Sequence, residues 1–188
     1  MTIYGGLTFA LWLALIAYWA LSAQGLKSRT GRRWLWWREI AVRLGFFSLV
    51  VLALQVGASP QVALYTLDQG MLLSLLGLML CVSGIALAIL ARARLDHTRQ
   101  VADLDGKSSE LLTTGPYALV RHPLYGGLLL AMLGSAISQS LLWLLPLVVY
   151  GPLLFLSARR EESQLLEQFS DGYAAYRRRT KMLLPFVL

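Results

Sequence analysis

The chain has 188 residues, of which 57% are hydrophobic and 14% charged, with a net charge of +7. A soluble domain averages about 25% charged residues, so the composition excludes an ordinary water-soluble enzyme and points to one membrane-embedded domain. Nucleic acid is not the expected partner of the positive balance, because the basic residues flank apolar runs, where topology and anionic lipid account for them.

In chain order, residues 3–23 form an apolar run long enough to cross a bilayer, which takes about 20 residues. Met1 and Thr2 supply no positive segment ahead of it, so it reads as a span and not as a cleaved signal. Residues 24–39 follow as a basic loop in which Lys27, Arg29, Arg32, Arg33 and Arg38 alternate with Trp34, Trp36 and Trp37, the mixture of an interfacial anchor. A second span covers 40–58 and a third 70–91, joined by a connector without Lys or Arg. Beyond Arg92, Arg94, Asp96, His97 and Arg99, residues 101–114 are polar and read as a loop. Residues 124–138 and 140–157 form a helical hairpin turning near Gln139, its second arm loosened by Pro146 and Pro152. Gly126, Gly127, Gly134 and Ser135 are expected to let the two arms approach closely. In the tail, Glu162, Leu165, Leu166, Phe169, Tyr173 and Tyr176 recur at helical spacing and predict an amphipathic helix.

Five spans with the N-terminus outside place all 17 Lys and Arg residues on one face. The positive-inside rule makes that face, and the C-terminus, cytoplasmic. The expected fold is therefore an all-α integral membrane protein, in a prokaryotic inner membrane, with a cytosolic amphipathic helix. Cys81 is the only cysteine and sits in an apolar run, so it reads as a packed thiol. With only His97 and His122 besides, Cys and His assemble no zinc-type site.

Two polar clusters interrupt this scaffold on the cytoplasmic side. The first is Thr113-Thr114-Gly115-Pro116-Tyr117-Ala118-Leu119-Val120-Arg121-His122-Pro123-Leu124-Tyr125-Gly126-Gly127, a turn punctuated by Gly-Pro and His-Pro. The second runs from Arg159-Arg160-Glu161-Glu162 to Tyr173, Tyr176 and Arg179. The hairpin begins at one and returns at the other, so it brings them together. Ionisable groups at the membrane boundary are costly to bury and are functional by default. Taken singly, each has a plainer role: Arg121 snorkelling, His122 capping a turn, the glutamates opening a solvated helix.

The pattern Gly-Pro-Tyr-x-x-x-Arg-His-Pro-x-Tyr-x-Gly, then Glu-Glu-x-x-Leu-x-x-x-Phe and Tyr-x-x-Tyr-x-x-Arg, resembles the isoprenylcysteine carboxyl methyltransferase family and its phospholipid methyltransferase relatives. Ser170 stands where that family usually has Gly, and Thr180 where it usually has Val. The resemblance implies methyl transfer from S-adenosylmethionine, leaving S-adenosylhomocysteine, to a carboxylate, amine or thiol of a lipophilic or lipidated acceptor at the cytosolic face. Carried over, it makes Arg121, Glu162 and His122 the catalytic candidates. Gly115, Pro116, Tyr117, Arg121, His122, Pro123, Tyr125, Glu161, Glu162, Tyr173, Tyr176 and Arg179 become the cofactor-binding candidates. Chemically, Arg121 suits a carboxylate, a glutamate suits an ammonium or ribose hydroxyls, and Tyr117 and Tyr125 suit a sulfonium. A carboxylate acceptor needs only an orienting cation (Arg92, Arg94 or Arg179), whereas an amine or thiol needs a base such as Glu162 or His122. No Gly-x-Gly-x-x-Gly follows a strand, so a soluble dinucleotide-type fold is not expected. Two competing readings are an NADPH-binding membrane reductase of related fold and a non-catalytic small membrane partner protein. The first three spans carry no part of the motif and leave the acceptor open.

Overall fold

The computed structural model describes residues 3–24, 45, 70–104, 111–139 and 141–183. Among them are four α-helices: α1 (Ile3–Gln24), α2 (Met71–Leu104), α3 (Pro123–Ser138) and α4 (Leu144–Arg179). One-turn 3₁₀ segments, Gly115–Ala118 and Leu141–Trp143, precede α3 and α4. Apart from Gly45, the predicted second span and its flanking loops lie outside the described residues.

α2 and α3 pack antiparallel along the most extensive contact in the molecule. A Cβ placed on Gly127 would lie 2.6 Å from the Gly84 carbonyl oxygen, and one on Gly134 would lie 2.6 Å from that of Gly77. The small residues therefore serve the α2–α3 contact and not the approach of the hairpin arms. The reason is register: glycines spaced seven apart on each helix face each other across the pair, and no such set exists on α4. Gly126 instead meets the Leu183 carbonyl of the tail.

α1 lies across this pair. Trp12 is fully buried, stacks on Trp143 at 5.3 Å between ring centroids, and donates its indole N–H to Ser135 Oγ at 3.0 Å. Leu15, Cys81, Ile85, Ala88, Leu128, Ala131 and Met132 complete the core. The outer faces are apolar too: Leu72, Leu75, Leu76 and Met79 on α2, with Leu145, Val148, Leu153 and Leu156 on α4, are exposed. Two such faces would be unfavourable in water and are natural against acyl chains. Two helices, Met71–Thr98 and Leu141–Arg179, are long and apolar enough to cross a membrane, while Ile3–Trp19 and Pro123–Ser138 are apolar but shorter.

Two predicted boundaries move. α2 continues to Leu104, past the expected end at 91, helped by the i,i+4 pair Arg92 Nε–Asp96 Oδ2 at 2.9 Å. α4 runs from the apolar arm into the tail as far as Phe169 and kinks at Ser170, so the arm and the first half of the amphipathic helix are continuous. Pro146 sits in its first turn, where a missing N–H costs little. Helical dihedrals also persist through Pro152, and the one departure inside α4 is Ser170, at φ 41° and ψ −113°.

Candidate functional site

Pro123 occupies the first position of α3, where its fixed φ suits a helix start, and His122 is the N-cap residue. The His122 side chain makes no capping bond, so its imidazole is left for other contacts. Ahead of it, Gly115 turns the chain at φ +64°, next to the Arg94 guanidinium of α2. After α4 the chain becomes extended at Thr180 and runs beside the turn, forming a parallel bridge between Val120 and Lys181. The Arg121 N–H donates to the Lys181 carbonyl at 2.8 Å and the His122 N–H to that of Met182 at 3.0 Å.

Side chains complete the junction. Arg121 Nε donates to Glu162 Oε1 at 2.6 Å, and the two side chains are only 9% and 5% exposed. Arg121 Nη1 donates to the carbonyls of Thr180 and Arg177. Tyr176 donates to the Tyr117 carbonyl at 2.6 Å, and Tyr117 donates in turn to Ala91 of α2 at 3.3 Å. Tyr125 donates to Glu161 and stacks on His122, their rings 5.6 Å apart and 5° from parallel. His122 Nδ1 lies 3.4 Å from Glu161 Oε2, and its Nε2 lies 3.7 Å from Glu162 Oε1.

Among the described residues, two buried polar atoms here have no hydrogen-bond partner: His122 Nε2 and the hydroxyl of the fully buried Tyr173. Such atoms are uncommon because each costs about 1–3 kcal/mol. Burial, reinforced by the Glu162 charge, raises the Tyr173 hydroxyl's pKa well above its ordinary value. Burial likewise pushes Tyr176 up to about 12. Both are neutral hydroxyls at physiological pH.

Of the predicted residues, Arg121, His122, Tyr125, Glu161, Glu162, Tyr173, Tyr176 and Tyr117 converge on this junction. Pro116 and Pro123 shape the backbone around it. Gly115 lies next to Arg94 of α2, and Arg179 shares a cleft with Arg121. The six residues of the predicted tail face are all buried or half-buried, as the spacing indicates. Arg177, whose Nε is 3.8 Å from Glu162 Oε2, and the carbonyls of Thr180, Lys181 and Met182 were not singled out. Only the basic run hinted at Arg177. Backbone carbonyls leave no mark in a sequence.

A model of the phospholipid methyltransferase family matches residues 72–172, more than half of the chain. The chain belongs to this family. The match begins at the foot of α2 and takes in the glycine-packed pair, the Gly-Pro-Tyr and Arg-His-Pro turn and both glutamates. This is a family of membrane methyltransferases, and the two apolar spans agree with a membrane location. The chain is also similar to the cobalt-zinc-cadmium resistance protein CzcN of Cupriavidus metallidurans, at 38% identity over 80 residues, 42% of this chain and 37% of that protein. A second relative is the nickel-cobalt-cadmium resistance protein NccN of Alcaligenes xylosoxydans xylosoxydans, at 35% identity over 80 residues, 42% of this chain and 38% of that protein. The similarity thus spans less than two-fifths of either relative.

Proposed function

We propose that this chain transfers a methyl group from S-adenosylmethionine to a lipophilic acceptor at the cytosolic face of a prokaryotic inner membrane. The observation that carries the reading is the junction of turn and tail. There a desolvated Arg121–Glu162 pair lies beside two unpartnered buried polar atoms, at the mouth of an apolar helix hairpin. The donor set fits the cofactor's own groups. Glu161 is half-exposed and suits an ammonium or ribose hydroxyls. The stacked rings of Tyr125 and His122 offer their faces to a sulfonium. Tyr173 Oη and His122 Nε2 offer hydrogen bonds that no group among the described residues takes up.

When bound, S-adenosylmethionine supplies an electrophilic methyl group, so the protein's task is positioning, which is worth up to about 7–11 kcal/mol. Arg121 spends Nε and Nη1 on Glu162 and the tail carbonyls. Its role shifts from ligand to positioning residue: it sets Glu162 and holds the tail over the turn. For an amine or thiol acceptor, Glu162 or His122 takes the proton; for a carboxylate, a cation such as Arg179 orients it. The reading takes the five-span topology expected from the charge pattern, with basic loops and C-terminus inside; on that topology the junction lies at the cytosolic headgroup level and an acceptor enters from the bilayer.

The test is transfer of a radiolabelled methyl group from S-adenosylmethionine into total membrane lipid and into hydrophobic thiol and carboxylate acceptors, using purified protein in detergent. Wild-type transfer lost in Glu161→Gln and Tyr173→Phe, with both variants folded, supports the reading. Full transfer by both variants, or none by the folded wild type, overturns it.

A further inference from the structure

Beside the junction is a cleft of about 260 Å³, lined by Arg121, Arg177, Arg178, Arg179, Thr180 and Lys181. Every lining residue but Thr180 is basic. Glu162 lies against only two of these cations, Arg121 at 2.6 Å and Arg177 at 3.8 Å. Arg178, Arg179 and Lys181 have no acidic partner among the described residues. A basic run at a helix end is usually a solvated face that complements the helix dipole. Here the chain leaves the helix at Thr180 and pairs with the turn at Lys181, so the run lines a concavity to which Arg121 is contributed by another element.

A helix C-terminus normally repels anions through its free carbonyls. In α4 the carbonyls of Arg177 and Thr180 are taken by Arg121 Nη1. That capping removes the repulsion where the positive charge is densest. The volume falls below the roughly 300–1,000 Å³ of a pocket for a whole small molecule, a size for a headgroup and not for an entire ligand. The cleft also sits at the polar boundary, beside the start of apolar α3 at Pro123.

We propose that this cleft binds a phosphate-bearing anion, and that the occupant clamps the C-terminal segment over the turn. The chemistry is that of a phosphate mono- or diester facing several guanidinium groups. An anionic lipid headgroup and a soluble phosphate compound share it, and the level of the cleft makes the lipid reachable. The cleft shares Arg121 and Arg179 with the candidate methyl-transfer residues, whereas Arg178 and Lys181 have no part in that site, and the test is therefore placed on these two.

The experiment uses the full chain in non-ionic detergent. Mixed micelles of phosphatidic acid, micelles of phosphatidylcholine with the same acyl chains, and inorganic pyrophosphate are each titrated while binding and thermal stability are followed. Saturable binding of phosphatidic acid or pyrophosphate, raising the melting temperature, is expected, and it should weaken about tenfold or more in the double variant Arg178→Gln/Lys181→Gln. Phosphatidic acid binding alone identifies a lipid source, and binding of both identifies a site for the phosphate group itself. Binding of neither, equal binding of phosphatidylcholine, or affinities unchanged in the double variant would overturn the proposal. S-adenosylhomocysteine is titrated in parallel. If the double variant loses it together with pyrophosphate, the cleft is part of the cofactor site and the proposal fails; if the wild type binds phosphatidic acid but no S-adenosylhomocysteine, the anion site stands and the methyltransferase reading fails.

Discussion

Along α2 and α3, Gly77 and Gly84 meet Gly134 and Gly127 with backbone against backbone. At the N-terminal end of α3, turn and tail meet instead through Arg121, Glu162, Tyr176 and a short parallel bridge. The first contact is a matter of shape: any side-chain atom there collides with a carbonyl. The second is a matter of polar pairing, and it leaves His122 Nε2 and the Tyr173 hydroxyl unsatisfied. A membrane protein gains little from hydrophobic association between helices in lipid, so close packing holds the scaffold. Polar groups are then concentrated where their cost can serve binding.

The comparison can be broken at either end. Arg121→Ala is expected to have the largest effect, destabilising by about 3–5 kcal/mol because Glu162 is left buried and unpaired. Loss should be local: hydrogen exchange should rise in 159–183 while the α2–α3 amides stay protected. Uniform deprotection would show that the two regions are not separable. Gly127→Ala should cost about 1–3 kcal/mol by forcing the α2 and α3 backbones apart, seen as a lower melting temperature with the tail still docked. Ser170→Gly acts in the opposite direction and should stabilise by about 1 kcal/mol, relieving a backbone conformation that glycine adopts freely. Tyr176→Phe should cost about 1 kcal/mol through the lost bond to the Tyr117 carbonyl.

That last variant also sharpens the pH behaviour. Tyr176 titrates near 12 in the folded chain against an ordinary 10.0. A raised folded value means the native state holds its proton longer, so its stabilisation is intact below pH 10 and is lost as the pH rises towards 12. Wild-type stability should therefore fall more steeply than that of Tyr176→Phe across this window, and parallel curves would show the phenol to be solvated.

How much of this was legible in the sequence follows from the same contrast. The convergence of the two polar clusters was readable because the hairpin leaves one and returns to the other. So was the buried face of the tail, because Glu162, Leu165, Leu166, Phe169, Tyr173 and Tyr176 keep helical spacing. The use of Gly127 and Gly134 was misjudged: their partners, Gly77 and Gly84, lie in a distant span, and attention went to the nearest helix. At Ser170, where the resembled family usually has glycine, φ 41° gives that glycine its reason, and a sequence carries no dihedral angle. The bonds of Arg121 to the Arg177 and Thr180 carbonyls were not legible, because every residue carries a main-chain carbonyl alike.

The central claim is that the turn–tail junction binds S-adenosylmethionine. It is tested most directly by calorimetric titration of S-adenosylhomocysteine into the detergent-purified chain, with Glu161→Gln alongside. The account predicts saturable binding at one site per chain, weakened about tenfold or more in a variant whose melting temperature is unchanged. No heat of binding to a folded wild type, or equal affinity in the variant, would contradict it.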